Sequence, residues 1–239
     1  MIKQIVSERP VVPATILADD PKMTKKVYIV GGDGYVEKMF NSRGWAISRV
    51  LEDADLYVFT GGADVTPELY GQKNVRSYTS ASRDAKEVEF FNTLKGFRAP
   101  MVGICRGGQF LNVMNGGTMW QDVNNHTAPH KMIIVEGHDD EGTILEEGRE
   151  ILVTSTHHQM MRPDIDGEIL GVAVNQATFK TDDVGTVKEG DGKFDSVDVE
   201  VVYYPETSSL CFQPHPEYAW APKECTDFFF ELLEEKFSL

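Results

Sequence analysis

The sequence predicts an α/β fold, and three observations point to it. Short apolar runs alternate with amphipathic helical stretches through the first half of the 239-residue chain. The segment Gly103-Ile104-Cys105-Arg106-Gly107 joins an apolar run (Pro100, Met101, Val102) to an apolar helical stretch (Phe110, Leu111, Val113, Met114). That is the pattern of a sharp strand-to-helix turn carrying a nucleophile. Further on, residues 151–154, 169–174 and 197–204 alternate or run apolar, which adds antiparallel strands to the sheet.

Taken in order, residues 1–26 are polar and irregular, with Pro10, Pro13 and Pro21, and read as a loose arm. Residues 27–30 form the first strand; Gly31-Gly32-Asp33-Gly34 turns the chain into a helix that runs to about Arg43. A second strand over 56–60 ends at Gly61-Gly62, and 63–82 read as an active-site loop without regular structure. Residues 84–95 form a helix with Val88, Phe91 and Leu94 on one face and Gly96 as its stop. Strand, turn and helix follow through about Asn115. From 122 to about 150 the chain is polar and acidic, with one strand-like run at 132–135; 181–196 read as a solvent loop, and 222–237 as a closing amphipathic helix. With no internal repeat and no linker, one domain over 1–239 is expected.

Composition narrows the function. Hydrophobic residues make up 41% and charged residues 26%, ordinary for a globular chain with a full core. A net charge of -15 excludes nucleic acid and anionic membrane as partners, because phosphate contacts need clustered Lys and Arg. There is no apolar run of membrane-spanning length and no signal-peptide core. The three cysteines are too widely spaced for a disulfide framework, and a reducing cytoplasm is the expected setting.

Cys105 is the candidate nucleophile. Glycine two residues away on each side leaves room for a crowded turn, and the N-terminal N–H groups of the following helix favour thiolate over thiol. Downstream, Pro214-His215-Pro216-Glu217 follows the apolar run Leu210-Cys211-Phe212. In an extended segment His215 and Glu217 share a face, so Glu217 can hold the imidazole while His215 takes the thiol proton. Cys211 and Cys225, in apolar surroundings, read as packing residues. His126 and His130 are four apart with Asp122 nearby, but Pro129 breaks the helix that would align them, so no metal is expected. Gly31 to Gly34 lacks the Lys-Ser/Thr pair of a phosphate loop, and Asp33 would repel phosphate.

Six strings in order resemble the class I glutamine amidotransferases, within them the γ-glutamyl hydrolase branch. They are Gly61-Gly62-Ala63-Asp64-Val65-Thr66-Pro67 to Tyr70-Gly71; Arg83-Asp84 with Glu87; Gly103 to Gln109; Asn112, Gly116-Gly117-Thr118 and Gln121-Asp122; Ser155-Thr156-His157-His158-Gln159; and His215-Pro216-Glu217. Pro214 stands where relatives often carry an aromatic residue. The resemblance implies a flavodoxin-like three-layer sandwich around a mostly parallel sheet, with a Cys-His-Glu triad. It places the oxyanion hole at the backbone N–H groups of Gly62 and Arg106, the Arg106 side chain being incidental. It assigns Gln109, one helical turn after Cys105, to the substrate's glutamyl moiety. The rim segment, through Ser155, Thr156 and above all His157, would grip the α-amino and α-carboxylate ends, with His158 facing solvent.

The chemistry so implied is acyl transfer through Cys105, with no metal or organic cofactor. A stand-alone hydrolase would release an amine from a γ-glutamyl amide. A glutaminase subunit would act on glutamine and hand ammonia to a separate synthetase, since 239 residues hold no synthetase domain. A silent binding module of the same fold is the non-enzymatic alternative, against which the intact Cys105, His215 and Glu217 argue.

Overall fold

The computed structural model describes residues 24–138, 144–174, 176–191 and 196–239. Most of the expected N-terminal arm lies outside the described residues. The chain enters the fold at β1 (Lys26–Val30) and turns through Gly31 and Gly32, both at positive φ, into α1 (Gly34–Ser42). The Asp33 carboxylate caps that helix, accepting from Tyr35 N at 2.8 Å and Val36 N at 3.1 Å, which is why this glycine-rich turn is a helix start. β2 (Ala46–Ser48) and β3 (Leu56–Phe59) follow. The loop after β3 is less irregular than its sequence suggests. Pro67–Tyr70 make a 3₁₀ turn, and Asp64 bridges to Thr79.

Helix α2 (Ala81–Gly96) buries Asp84, Glu87, Phe91 and Leu94. Its inward face therefore starts with two carboxylates, and Val88 sits only half-buried at its margin. β4 (Met101–Ile104) runs through Cys105 into α3 (Arg106–Met114). Beyond it come β5 (Thr118–Trp120), β6 (Asp122–Val123), β7 (His130–His138), β8 (Ile144–Val153), β9 (Met160–Arg162), β10 (Glu168–Val174), β11 (Phe179–Thr181) and β12 (Thr186–Lys188). β12 falls inside the stretch read as a loop. Its alternation is too short to register as a period, and it forms because β11 pairs with it. β13 (Val197–Tyr204), β14 (Ser209–Phe212) and α4 (Lys223–Phe237) complete the chain.

Nine strands make the main sheet in the order β2-β1-β3-β4-β14-β13-β10-β7-β8. The first five are mutually parallel, and the rest extend the sheet by antiparallel pairing from β14 outward. Strands buried on both faces read as continuous apolar runs, as Leu56-Tyr57-Val58-Phe59 does. Leu56 and Val58 join one cluster with Phe40 of α1 and Phe228, Phe229 and Leu232 of α4. Tyr57 and Phe59 join the other with Phe91 and Leu94 of α2 and Phe110 and Leu111 of α3. The result is a three-layer α/β/α sandwich. Each such side chain contributes roughly 1.5–3 kcal/mol on burial, so the two apolar faces fix which way each helix packs.

Candidate active site

Three adjacent parallel strands end at one place. β3 delivers Gly61 and Gly62, β4 delivers Cys105, and β14 delivers His215; β4 lies between its two partners in register Phe59↔Gly103 and Phe212↔Ile104. Crevices at the carboxyl ends of parallel strands are the ligand sites of open α/β sheets.

Cys105 occupies φ 52°, ψ -113°, a conformation costly for a side-chain-bearing residue and held here by its surroundings. A Cβ on Gly103 would lie 2.2 Å from the Gly107 carbonyl carbon, and one on Gly107 would lie 2.1 Å from Phe59 O. Both approaches are backbone on backbone, so the Gly-x-Cys-x-Gly spacing is a steric requirement of the turn. Cys105 N donates to Phe212 O at 2.8 Å, which ties the elbow to β14.

His215 and Glu217 lie beyond the end of β14 in a turn, not in the extended segment expected from sequence. The contact forms all the same: His215 Nδ1 lies 2.6 Å from Glu217 Oε1. Thr154 clamps the backbone of His215, its hydroxyl accepting from His215 N at 2.6 Å and donating to His215 O at 3.1 Å. Tyr218 stacks on the imidazole at 4.2 Å between centroids and 5° between planes. An aromatic face against an imidazolium favours the charged ring. Burial works against that charge, but the Cys105 thiolate and the Glu217 carboxylate outweigh it and raise His215 to about 11.

Gly61 packs against both of these groups, with His215 Cε1 at 3.0 Å and Cys105 Cβ at 3.8 Å from where its own Cβ would stand. Gly62 takes φ 135°. The Arg83 guanidinium donates to Gly61 O at 2.8 Å and Thr60 O at 2.7 Å. In a trans peptide the N–H points opposite to the C=O, so fixing the Gly61 carbonyl on Arg83 turns the Gly62 N–H to the other side.

The Arg106 side chain, read from the sequence as incidental, is 1% exposed and pairs with Glu87 and Asp84. Arg83 Nε binds the other oxygen of Glu87 at 2.7 Å, and Thr66 N donates to Asp84 at 3.0 Å. Burial, and then Arg83 nearby, lower Arg106 to about 10 against the pull of Asp84. Two arginines and two carboxylates thereby lock the elbow helix, α2 and the loop after β3 into one unit. Only the Arg83-Glu87 pair, four apart, leaves a helical signal in sequence.

The substrate-side candidates divide. Gln109 is buried, its amide donating to Gln213 Oε1 at 3.0 Å and Gln159 O at 3.3 Å. Thr156 is exposed, whereas Ser155 is buried and donates to His126 O at 2.5 Å. The His157 ring turns inward, with Nδ1 2.7 Å from Gln159 O and Nε2 3.6 Å from Glu200. Its side chain is packed beneath the rim, since a ring flanked by a carbonyl and a buried carboxylate has better partners inside than at the surface. His158 does not simply face solvent: Nε2 lies 3.1 Å from Asp64, whose carboxylate raises its pKa, and so it ties the rim to the loop after β3. Cys211 and Cys225 are buried thiols, burial pushing Cys225 up to about 12 and Cys211 well above the usual range. His126 and His130 are brought together without a shared helix, around Glu200 of β13. Thr154, Tyr218 and Glu200 carry no local sequence signal of these roles.

The fold and the strand-end elbow define an α/β enzyme of the hydrolase kind. A Peptidase C26 profile matches residues 33–178, a span that includes the elbow and ends before β13. The chain belongs to the Peptidase C26 family, of the class I glutamine amidotransferase type. It is 28% identical over 202 residues to YvdE, named as a glutamine amidotransferase-like protein of Lactococcus lactis, covering 78% of this chain and 76% of that one. Its backbone is similar to a glutamine amidotransferase of Thermotoga maritima, with TM-score 0.55, 14% identity and coverage of 90% and 84%. It is similar also to a GMP synthase component of Thermoplasma acidophilum, with TM-score 0.55, 17% identity and coverage of 90% and 95%. At those identities the structural likeness speaks to fold alone. Among the described residues no helix is long and apolar enough to cross a membrane.

Proposed function

We propose that this protein hydrolyses a γ-glutamyl amide bond through a thioester on Cys105. The observation that carries the reading is the geometry at the strand ends: Cys105 on the elbow beside Gly61 and His215, whose Nδ1 lies 2.6 Å from Glu217 Oε1. The thiolate attacks the γ-carbonyl carbon; a C–S bond forms, and the carbonyl electron pair moves onto oxygen. That oxyanion meets the N–H groups of Gly62 and Arg106, each worth about 3–4 kcal/mol of barrier lowering when preorganised. Collapse breaks the C–N bond as protonated His215 gives its proton to the departing nitrogen. Water then attacks the thioester, His215 takes its proton, and cleavage of the C–S bond frees glutamate and the thiolate. The substrate is a small γ-glutamyl compound or glutamine, and the whole chain acts as one catalytic domain. Thr156, exposed on the rim segment, is assigned in this reading to the substrate's α-amino or α-carboxylate end.

The purified chain, assayed alone with glutamine and a panel of γ-glutamyl amines, should hydrolyse at least one amine faster than glutamine. Tyr218 and half-exposed Trp220, 5.2 Å apart beside His215, offer apolar surface to a leaving group larger than ammonia. Inactivity on the whole panel, with ammonia released from glutamine once a synthetase is added, would overturn this in favour of a glutaminase subunit.

A further inference from the structure

We infer that His126, His157 and Glu200, with His130 beside them, form a buried site for a divalent metal of zinc's preferences. The three principal ligand atoms all lie within 4.8 Å of one another. All four residues are at least nine-tenths buried. They come from different segments: His126 from the loop after β6, His130 from the start of β7, His157 from the rim and Glu200 from β13.

The partners outside the cluster set the ring tautomers. His157 Nδ1 faces the Gln159 carbonyl at 2.7 Å; a carbonyl only accepts, so Nδ1 carries the proton. His126 Nε2 faces Asp198 at 2.8 Å, and a carboxylate likewise takes the proton side of the ring. Asp198 is itself held by Lys180 at 2.8 Å and by Ala177 N at 2.8 Å. In the neutral rings the remaining nitrogens, His126 Nδ1 and His157 Nε2, then present lone pairs toward the Glu200 carboxylate. Imidazoles whose outer nitrogen is fixed by a carboxylate or carbonyl are the usual preparation of a metal ligand.

The distances separate two explanations. From Glu200 Oε1 the nitrogens of His126, His130 and His157 lie at 3.3, 3.2 and 3.6 Å. Charge-assisted hydrogen bonds are shorter, about 2.7–2.9 Å. Ligands at about 2.0–2.2 Å from one tetrahedral centre stand about 3.3–3.5 Å apart. The Glu200–His126 and Glu200–His157 spacings lie nearer to the edges of a coordination shell than to hydrogen bonds. In keeping with that, His126 Nδ1, both nitrogens of His130, His157 Nε2 and both Glu200 oxygens have no hydrogen-bond partner. These atoms face one another at ion-pair distance without forming hydrogen bonds, so the buried carboxylate and the imidazole nitrogens call for a cation among them. Two imidazoles and a carboxylate suit zinc, and burial of all three keeps the site away from bulk solvent. It would fasten the rim to β13, whose Glu200 O also accepts from Gln213 N at 2.8 Å, two residues before His215.

The test uses untagged full-length chain carrying Cys105→Ala, which removes the reactive thiolate as a competing ligand. Elemental analysis should find one zinc per chain. Dialysis against a chelator should lower Tm reversibly, and Co²⁺ added to the stripped protein should give tetrahedral visible absorption that saturates at one equivalent. Asp198→Asn should weaken Co²⁺ binding by about 10–100-fold, and Glu200→Gln or His157→Asn by more. Protein grown with added zinc that carries none, and whose Tm and colour ignore Zn²⁺ and Co²⁺, would overturn the site; a proton on His126 would then hold the cluster together. Stoichiometric metal retained after both Glu200→Gln and His157→Asn would overturn it equally, by placing the ion elsewhere. The wild-type ligand set is tested by the first two measurements even if a variant fails to fold.

Discussion

Arg106 has two distinct tasks within one residue. Its backbone N–H is a proposed oxyanion donor, while its side chain answers two buried carboxylates from α2. Removing the guanidinium leaves buried Glu87 to Arg83 alone and buried Asp84 without its cation, held only by donors such as Thr66 N. Arg106→Ala should therefore cost about 3–5 kcal/mol in denaturant unfolding, and Arg106→Lys should recover little, because one ammonium cannot fork to both acids. For the proposed triad, Glu217→Gln keeps the side-chain shape but loses the charge opposite His215. We expect kcat/KM to fall by roughly 10- to 1000-fold with an unchanged unfolding midpoint, and wild-type rates would show that another group orients the imidazole. His215 also sets a pH expectation. Its folded pKa is raised from 6.5 to about 11, so the stabilising charge is fully present below the unfolded value and is lost as pH rises through the folded one. A kcat/KM profile should accordingly show no alkaline fall near neutral pH and decline only as pH approaches 11. An alkaline limb close to 6.5, the value of an unperturbed imidazole, would contradict the ion pair.

At the scale of elements, the elbow and the β3 turn use glycine for different reasons, and the difference is measurable. A methyl at Gly103 or Gly107 meets backbone at 2.2 or 2.1 Å, and neither β4, α3 nor β3 can yield. A methyl at Gly62 meets only the end of the Arg83 side chain at 2.4 Å, together with an unfavourable φ. Gly103→Ala or Gly107→Ala should cost about 3 kcal/mol or more in stability. Gly62→Ala should stay within the roughly 1–3 kcal/mol of local backbone strain yet lower kcat by about 10²–10³-fold through loss of an aligned oxyanion donor. Denaturant midpoints and initial rates on the three variants separate the two classes. How legible these elements are in the sequence follows the same logic. The Gly-x-Cys-x-Gly turn is readable because its constraint acts between residues two apart. The face of α2 is not: a pattern search counts Asp84 and Glu87 as polar and outward, and only Arg106 and Arg83 make them inward residues.

At the scale of the molecule, a chain of net charge -15 repels itself in the folded state. Raising ionic strength from about 0.01 M to 0.15 M shortens the Debye length from about 30 to 8 Å. The thermal midpoint should rise over that range, and a fall would mean that surface ion pairs such as Arg43–Asp227 outweigh the repulsion. By itself the sequence determined the local features: the α/β alternation, the Cys105 elbow, the His215–Glu217 spacing and the apolar strands. Each depends on sterics or periodicity over a few residues, and these act before any distant contact exists. Which strand ends stand together was decided only by the sheet, where β14, far along the chain, pairs beside β4 and carries His215 to Cys105. The tertiary structure likewise decided the partners of the buried charges, Arg106 with Asp84 and Glu87, and three histidines around Glu200. In water each of these groups is solvated and asks for no partner. Burial removes that solvent, and so it is the assembled fold that makes the pairings necessary.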